Sequence, residues 1–182
     1  MPRYIEIIPY LFRYLKSSHI KDEIDWASIV EDIELKCEST DMVADDALEL
    51  RPSEDYVSLF WSCKHNDVMK ILDTLNELKH RGRDSFSAKS GMLKINAIEA
   101  MLAINDIEEM ITFKCTDTDP TACIHHGLYY KTEDTLGQLE VRSSIVEMSE
   151  FFAIKKIDKQ NRQILKLDAG ARFEMICETI QV

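Results

Sequence analysis

The sequence predicts a mainly α fold with a small β flap: a helical amino-terminal half, then a helix–hairpin–helix module at the carboxyl end. Three observations carry that expectation. Apolar residues recur three and four apart through most of the chain before Lys114. The stretch from Met92 to Phe113 keeps this period without Gly or Pro. Beyond Phe152 the period shortens to two, in runs on either side of a turn-rich tip.

Pro9 stands at a first turn, and Tyr10, Leu11, Phe12, Tyr14 and Leu15 predict a short, strongly apolar helix ending near Ser17 and Ser18. From Asp22 to about Glu38, Ile24, Trp26, Ile29, Val30, Ile33 and Leu35 alternate with acids in the pattern of an amphipathic helix with an acidic back. A short piece covers Asp41 to Leu50. Pro52 and Ser53 open a helix from Glu54 through Trp61. Asn66 caps a longer one from Asp67 to His80, with Val68, Ile71, Leu72, Leu75 and Leu78 along one side and Gly82 closing it.

Residues 79–94 turn basic and small, with Lys79, Arg81, Arg83, Lys89 and Lys94 against Asp84, and read as a surface loop and linker. A long helix from Met92 to Phe113 then joins two halves, residues 1–90 and 91–182. Asp117 Thr118 Asp119 Pro120 marks a turn and Leu128 Tyr129 Tyr130 a short strand. Asp134 to Val141 resumes as a helix. Ser143 and Ser144 start another, whose Ile145, Val146, Met148, Phe151 and Phe152 form its apolar side. Ala153 to Ile157 and Gln163 to Leu167 alternate as strands around Asp158 to Arg162, and Asp168 caps a last helix through Ile180.

Composition bounds the function. The 182 residues are 45 % apolar and 8 % aromatic, enough for a real core, and no apolar run approaches the ~20 residues of a membrane span. The opening Met1 Pro2 Arg3 Tyr4 Ile5 Glu6 does not resemble a secretory leader, so the expected compartment is the cytoplasm, with Cys37, Cys63, Cys115, Cys123 and Cys177 as reduced thiols. Net charge is −11, and residues 22–54 hold twelve acids against Lys36 and Arg51, a local net of −10. Such a stripe repels phosphate and attracts a basic protein surface. It makes Asp22, Glu23, Asp25, Glu31, Asp32, Glu34, Asp45 and Asp46 candidate partner-binding residues; a merely solvated helix face is the bland alternative.

Chemistry-bearing constellations are sparse. Cys115, Cys123, His125 and His126 form the one metal-like cluster, but their spacing departs from that of tight zinc knuckles, and small core cysteines beside loop histidines account for it as well. Cys63 with His65, and Cys123 with His125, lack the elbow or helix start that lowers a thiol pKa. The carboxylate pairs Asp45 Asp46 and Glu108 Glu109 are neighbours that diverge on a helix, and no phosphate-binding glycine loop occurs. The expectation is a protein that is not an enzyme and carries no cofactor or metal.

The run Ser144 to Lys156, then Asp158 to Arg162, then Ile164 to Arg172 resembles the second helix, wing and closing helix of winged-helix proteins, especially bacterial regulators of the multiple-antibiotic-resistance type. That resemblance implies DNA contact through the second helix and wing. Here the second helix carries Glu147 and Glu150 and no base, so only Lys155, Lys156, Lys159 and Arg162 on the wing could meet phosphate. Winged helices also dock proteins, and a weaker likeness to accessory subunits of SMC- and ABC-type ATPase complexes implies an adaptor bridging larger partners near DNA. A winged-helix transcription regulator and an acidic inhibitor of a basic enzyme are the alternatives.

Overall fold

The computed structural model describes residues 10–20, 35–62, 67–82, 90–118 and 124–154. They build one seven-stranded, wholly antiparallel sheet clad on both faces by helices, which replaces the expected mainly α architecture with an α/β one. The strands are β1 (Tyr10–Leu15), β2 (Leu35–Glu38), β3 (Val57–Phe60), β4 (Ser90–Asn96), β5 (Ile111–Cys115), β6 (His125–Tyr130) and β7 (Glu150–Ile154), and the helices α1 (Asp67–His80), α2 (Ala97–Ile104) and α3 (Thr135–Glu147). Across the sheet the order is β2-β7-β4-β1-β3-β6-β5, so strands from before and after residue 90 interleave.

Several expected helices are strands for one physical reason. Tyr10 to Leu15 is the central strand, with Leu11 and Leu15 in one core and Phe12 and Tyr14 in the other. A strand buried on both faces is apolar at nearly every position, so its own alternation is invisible. The same holds for β3, expected as part of a helix from Glu54 to Trp61, and for β4, where Met92 faces one core while Leu93 and Ile95 face the other. The long helix from Met92 to Phe113 therefore resolves into β4, the two-turn α2 and β5. Asn96 ends the strand and caps α2, accepting from Glu99 N (3.2 Å) while its amide donates to Glu99 Oε2 (3.2 Å), a reciprocal cap. Asn105 then turns the chain: its Oδ1 accepts from Met110 N and Ile111 N, and its Nδ2 donates to Ile111 O.

The winged-helix arrangement is corrected likewise. Asp134, not Ser143, caps the helix, and α3 runs unbroken through Ser143 and Ser144 to Glu147. Glu150 to Phe152 is not the end of a reading helix; with Ala153 and Ile154, expected as strand, it forms β7, registered between β4 (Lys94↔Glu150, Met92↔Phe152) and β2 (Cys37↔Phe152). The remaining flap and the last helix, with Lys155, Lys156, Lys159 and Arg162, lie outside the described residues, as do Asp22, Glu23, Asp25, Glu31, Asp32 and Glu34. Among the expectations that hold, α1 covers Asp67–His80, and Gly82 follows it at φ +94°, the left-handed conformation that closes a helix, with Gly82 N donating to Lys79 O.

One face of the sheet packs Phe12, Tyr14 and Met92 under Ile71 and Leu75 of α1. The other buries Leu11, Leu15, Leu59, Leu93, Phe113, Leu128 and Phe151 beneath α2, α3 and a strap around Val43, Ala47 and Leu48. Helix α1 is pinned at both ends: Lys94 bridges Asp67 (3.0 Å) and Glu150 (2.9 Å), and Arg81, just past α1, bridges Glu77 (2.8 Å) and Asp117 (2.7 Å). Two of the five cations of residues 79–94, expected in a surface loop, are thus engaged within the fold. No described helix is long and apolar enough to cross a membrane.

Candidate functional site

Three places concentrate chemistry. The first is the base of the β5–β6 hairpin. Asp117 Oδ2 accepts from the backbone N–H groups of Ile124 and His125, both at 2.8 Å, while its Oδ1 takes Arg81 Nη2. Burial acts to raise the Asp117 pKa, but those amides and the Arg81 guanidinium outweigh it and hold the carboxyl below its ordinary range. His125 is buried between the rings of Tyr56 and Phe60, and its Nδ1 meets the Thr116 hydroxyl, which also donates to His125 O. Burial, reinforced by Arg81, pushes His125 down to about 4, so the ring is neutral at pH 7. Turned onto the backbone in this way, the Thr116 hydroxyl closes the hairpin.

The metal-like grouping of Cys115, Cys123, His125 and His126, for which no metal was expected, is not assembled among the described residues. Cys115 is disulfide-bonded, which removes its sulfur as a thiolate ligand and corrects the expectation of reduced thiols throughout. His125 and His126 are successive strand residues and point to opposite faces, and Cys123 lies outside the described residues. Among the described residues no three His, Cys, Asp or Glu side chains converge as a metal site.

The second place is a buried polar seam under the strap. Arg13 projects from the central strand between Leu11 and Leu15 and donates to Ser58 O on β3 (3.0 Å), an inter-strand bond beyond the one registered pair, Phe12 with Phe60. Tyr130 donates to Leu48 O (2.7 Å), Ala44 N donates to His19 O, and Arg142 of α3 approaches Glu49 (3.7 Å). These bonds tie the strap to sheet and helix. Burial, helped by Arg13, lowers His19 to about 4, and burial raises Tyr130 above its ordinary value. His19 Nδ1 and Arg142 Nε are buried with no hydrogen-bond partner among the described residues. Asp45 and Asp46, expected to bind a partner, are exposed in the turn of this strap, and Asp46 acts on His19 by raising its pKa against the larger lowering effects.

The third place is apolar and open. Leu102 is 73 % exposed, Ile107 96 %, Leu136 65 % and Leu139 38 %. Helix α2 packs against α3, and Lys131 N donates to Met110 O, so the approach to α3 is fastened to the loop carrying Ile107. Beside Leu102 an open groove of about 520 Å³ is lined by Asn96, Ile98, Glu99, Leu102 and Ala103. Sequence reasoning missed this surface, because Leu102 and Ile107 were assigned to the apolar stripe of a long helix. The available signal was that α2, Ala97–Ile104, has Glu99 as its sole polar residue, more apolar surface than one packed face can use.

Compared with protein-family models, curated proteins and solved structures, the chain matches none.

Proposed function

We propose that the chain is a non-enzymatic docking module, an adaptor that holds a protein partner. The observation that carries this reading is the exposed apolar set Leu102, Ile107, Leu136 and Leu139 on α2, the loop after it and α3. Scattered exposed leucines are ordinary, but a two-turn helix that is apolar on nearly every side is expected to be buried. Its loop is also held in place by the three Asn105 side-chain bonds, and a preordered surface loses little entropy on binding. The likeness to ATPase accessory subunits is not carried forward, because it rested on a helix–wing module whose first part is α3 and β7 of the main sheet.

The test is co-purification of the tagged full chain from its native source, comparing the wild type with Leu102→Asp/Ile107→Asp and with Asp45→Lys/Asp46→Lys. Loss of a stoichiometric partner in the first variant alone supports the reading. Loss in the second alone favours the acidic-inhibitor alternative, and recovery of the bare chain at every salt concentration refutes docking altogether.

A further inference from the structure

Resting on the docking reading, we infer that the α2–α3 surface receives a basic amphipathic helix from the partner, its apolar stripe laid along Ile98, Leu102, Ile107 and Leu136 and its cations over the surrounding carboxylates. The occupant follows from charge. Exposed acids border the apolar residues on every stretch that carries them: Glu99 on α2, Asp106, Glu108 and Glu109 in the loop, and Glu133, Asp134, Glu140 and Glu147 before and along α3. Residues 95–113 contain no Lys or Arg. Along 131–147 the cations are Lys131 and Arg142, and Arg142 is buried beside Glu49. An acidic helix laid here would meet eight exposed carboxylates against the one exposed cation Lys131 on these stretches, and so would an anionic bilayer. A basic amphipathic helix meets complementary charge at those carboxylates and offers an apolar face to Leu102 and the apolar lining beside it, the helix-in-groove mode of recognition.

Different forces dominate at the centre of this surface and at its rim. Leu102 and the groove beside it supply desolvated contact, whereas the rim carboxylates mainly steer encounter and choose among partners. Affinity should therefore fall with apolar substitution at any salt concentration, and the contribution of the rim should fade as salt rises.

The experiment titrates the full chain into three fluorescein-labelled peptides of equal length: an amphipathic Leu/Lys helix, the same composition scrambled to break amphipathicity, and the amphipathic Leu/Glu counterpart. Expected is saturable binding of the first, binding of the second weaker by about tenfold or more, and none of the third. Leu102→Asp should weaken the Leu/Lys peptide about tenfold, and Glu108→Lys/Glu109→Lys should weaken it at low salt but not at 0.5 M salt. Asp45→Lys/Asp46→Lys, on the strap, should leave it within about twofold. Equal binding of the amphipathic and scrambled peptides, or indifference to Leu102→Asp, overturns the inference. So does tighter binding to vesicles of phosphatidylglycerol than to the Leu/Lys peptide, or a cross-link from position 102 to residues 169–180 of the same chain that blocks the peptide. If the inference fails in any of these ways while Leu102→Asp/Ile107→Asp still sheds the co-purifying partner, docking stands and only the basic-helix occupant is wrong.

Discussion

Asp117 is the best place to test the physical account, because its two oxygens do separable jobs. Oδ2 alone accepts the buried amides of Ile124 and His125, and Oδ1 alone faces Arg81. Asp117→Ala orphans both amides, and since an unsatisfied buried N–H costs about 1–3 kcal/mol, the loss should be about 4 kcal/mol. Asp117→Asn can keep a carbonyl oxygen toward both amides and lose only the Arg81 bridge, which is partly solvated and screened, so its cost should be about 1 kcal/mol. For a chain of this size ~2–4 °C is lost per kcal/mol, so alanine should lower the melting temperature by about 10 °C and asparagine by about 3 °C. Urea titrations followed by the fluorescence of Trp26 and Trp61 give the free energies. The pH dependence adds a second handle. Because the folded pKa lies below the unfolded value of 3.8, Asp117 contributes stability above that value and loses it as pH falls through the folded pKa. The asparagine variant should lack this part of the acid transition. Equal destabilisation by alanine and asparagine would refute the assignment of the two amides to one oxygen.

Three buried histidines, His19, His125 and His126, have their pKa values lowered by burial and set a higher window. His19 and His125 fall from 6.5 to about 4 on folding, so their stability is full above pH 6.5 and is lost as pH falls toward 4, up to about 3 kcal/mol for each. His19→Leu should remove about a third to a half of that slope, which His125 and His126 share, in urea midpoints measured between pH 7.5 and 4.5; an unchanged slope would show that His19 is not buried neutral. Gly91→Ala should destabilise by about 1–3 kcal/mol, because a Cβ there would overlap the Phe151 ring and lie 2.9 Å from Phe152 O, and a melting temperature at or above wild type would contradict this packing. Phe151→Ala should cost about 4 kcal/mol, and the β7 amides should exchange as slowly as those of β4; fast exchange would return the segment to a peripheral flap.

What could be read from the residues divides along burial. Helix α1 was legible because one face packs on β1 and β4 while the other meets water, which leaves the 3.6-residue period exposed. The helix beginning at Asp134 and the strand at Leu128 to Tyr130 were legible from local pattern alone. Strands β1, β3 and β4 were not, since helices cover both sheet faces and apolar residues then serve either periodicity. The break inside Met92 to Phe113 is made by asparagines, Asn96 as cap and Asn105 as turn former, where the expected punctuation was Gly or Pro. Of the candidate partner residues only Asp45 and Asp46 fall in described segments, and both are exposed. The seam of Arg13, His19, Tyr130 and Arg142 joins residues far apart in sequence, and only the sheet order brings them together. A lone arginine inside Tyr10 to Leu15 was its one available hint.

The docking face differs from the rest of the molecule in what its side chains do for the fold, and that difference is measurable. Phe113, Leu93 and Phe151 are fully buried, so truncating any of them forfeits transfer energy and leaves a cavity. Leu102 and Ile107 bury little, so replacing them by Gln should change stability by no more than about 0.5 kcal/mol. If the exposed pair served the fold through contacts with α3 or the loop, the double variant would instead lose 1 kcal/mol or more, an outcome that removes the basis of the docking reading. A variant that keeps its stability but loses its partner would separate folding from recognition on the same helix, whose Ala97 and Ala100 face the core while Leu102 and Ala103 face outward. Two helical turns can hold both roles because residues three apart from Ala97 to Ala100 point inward while those between them turn away.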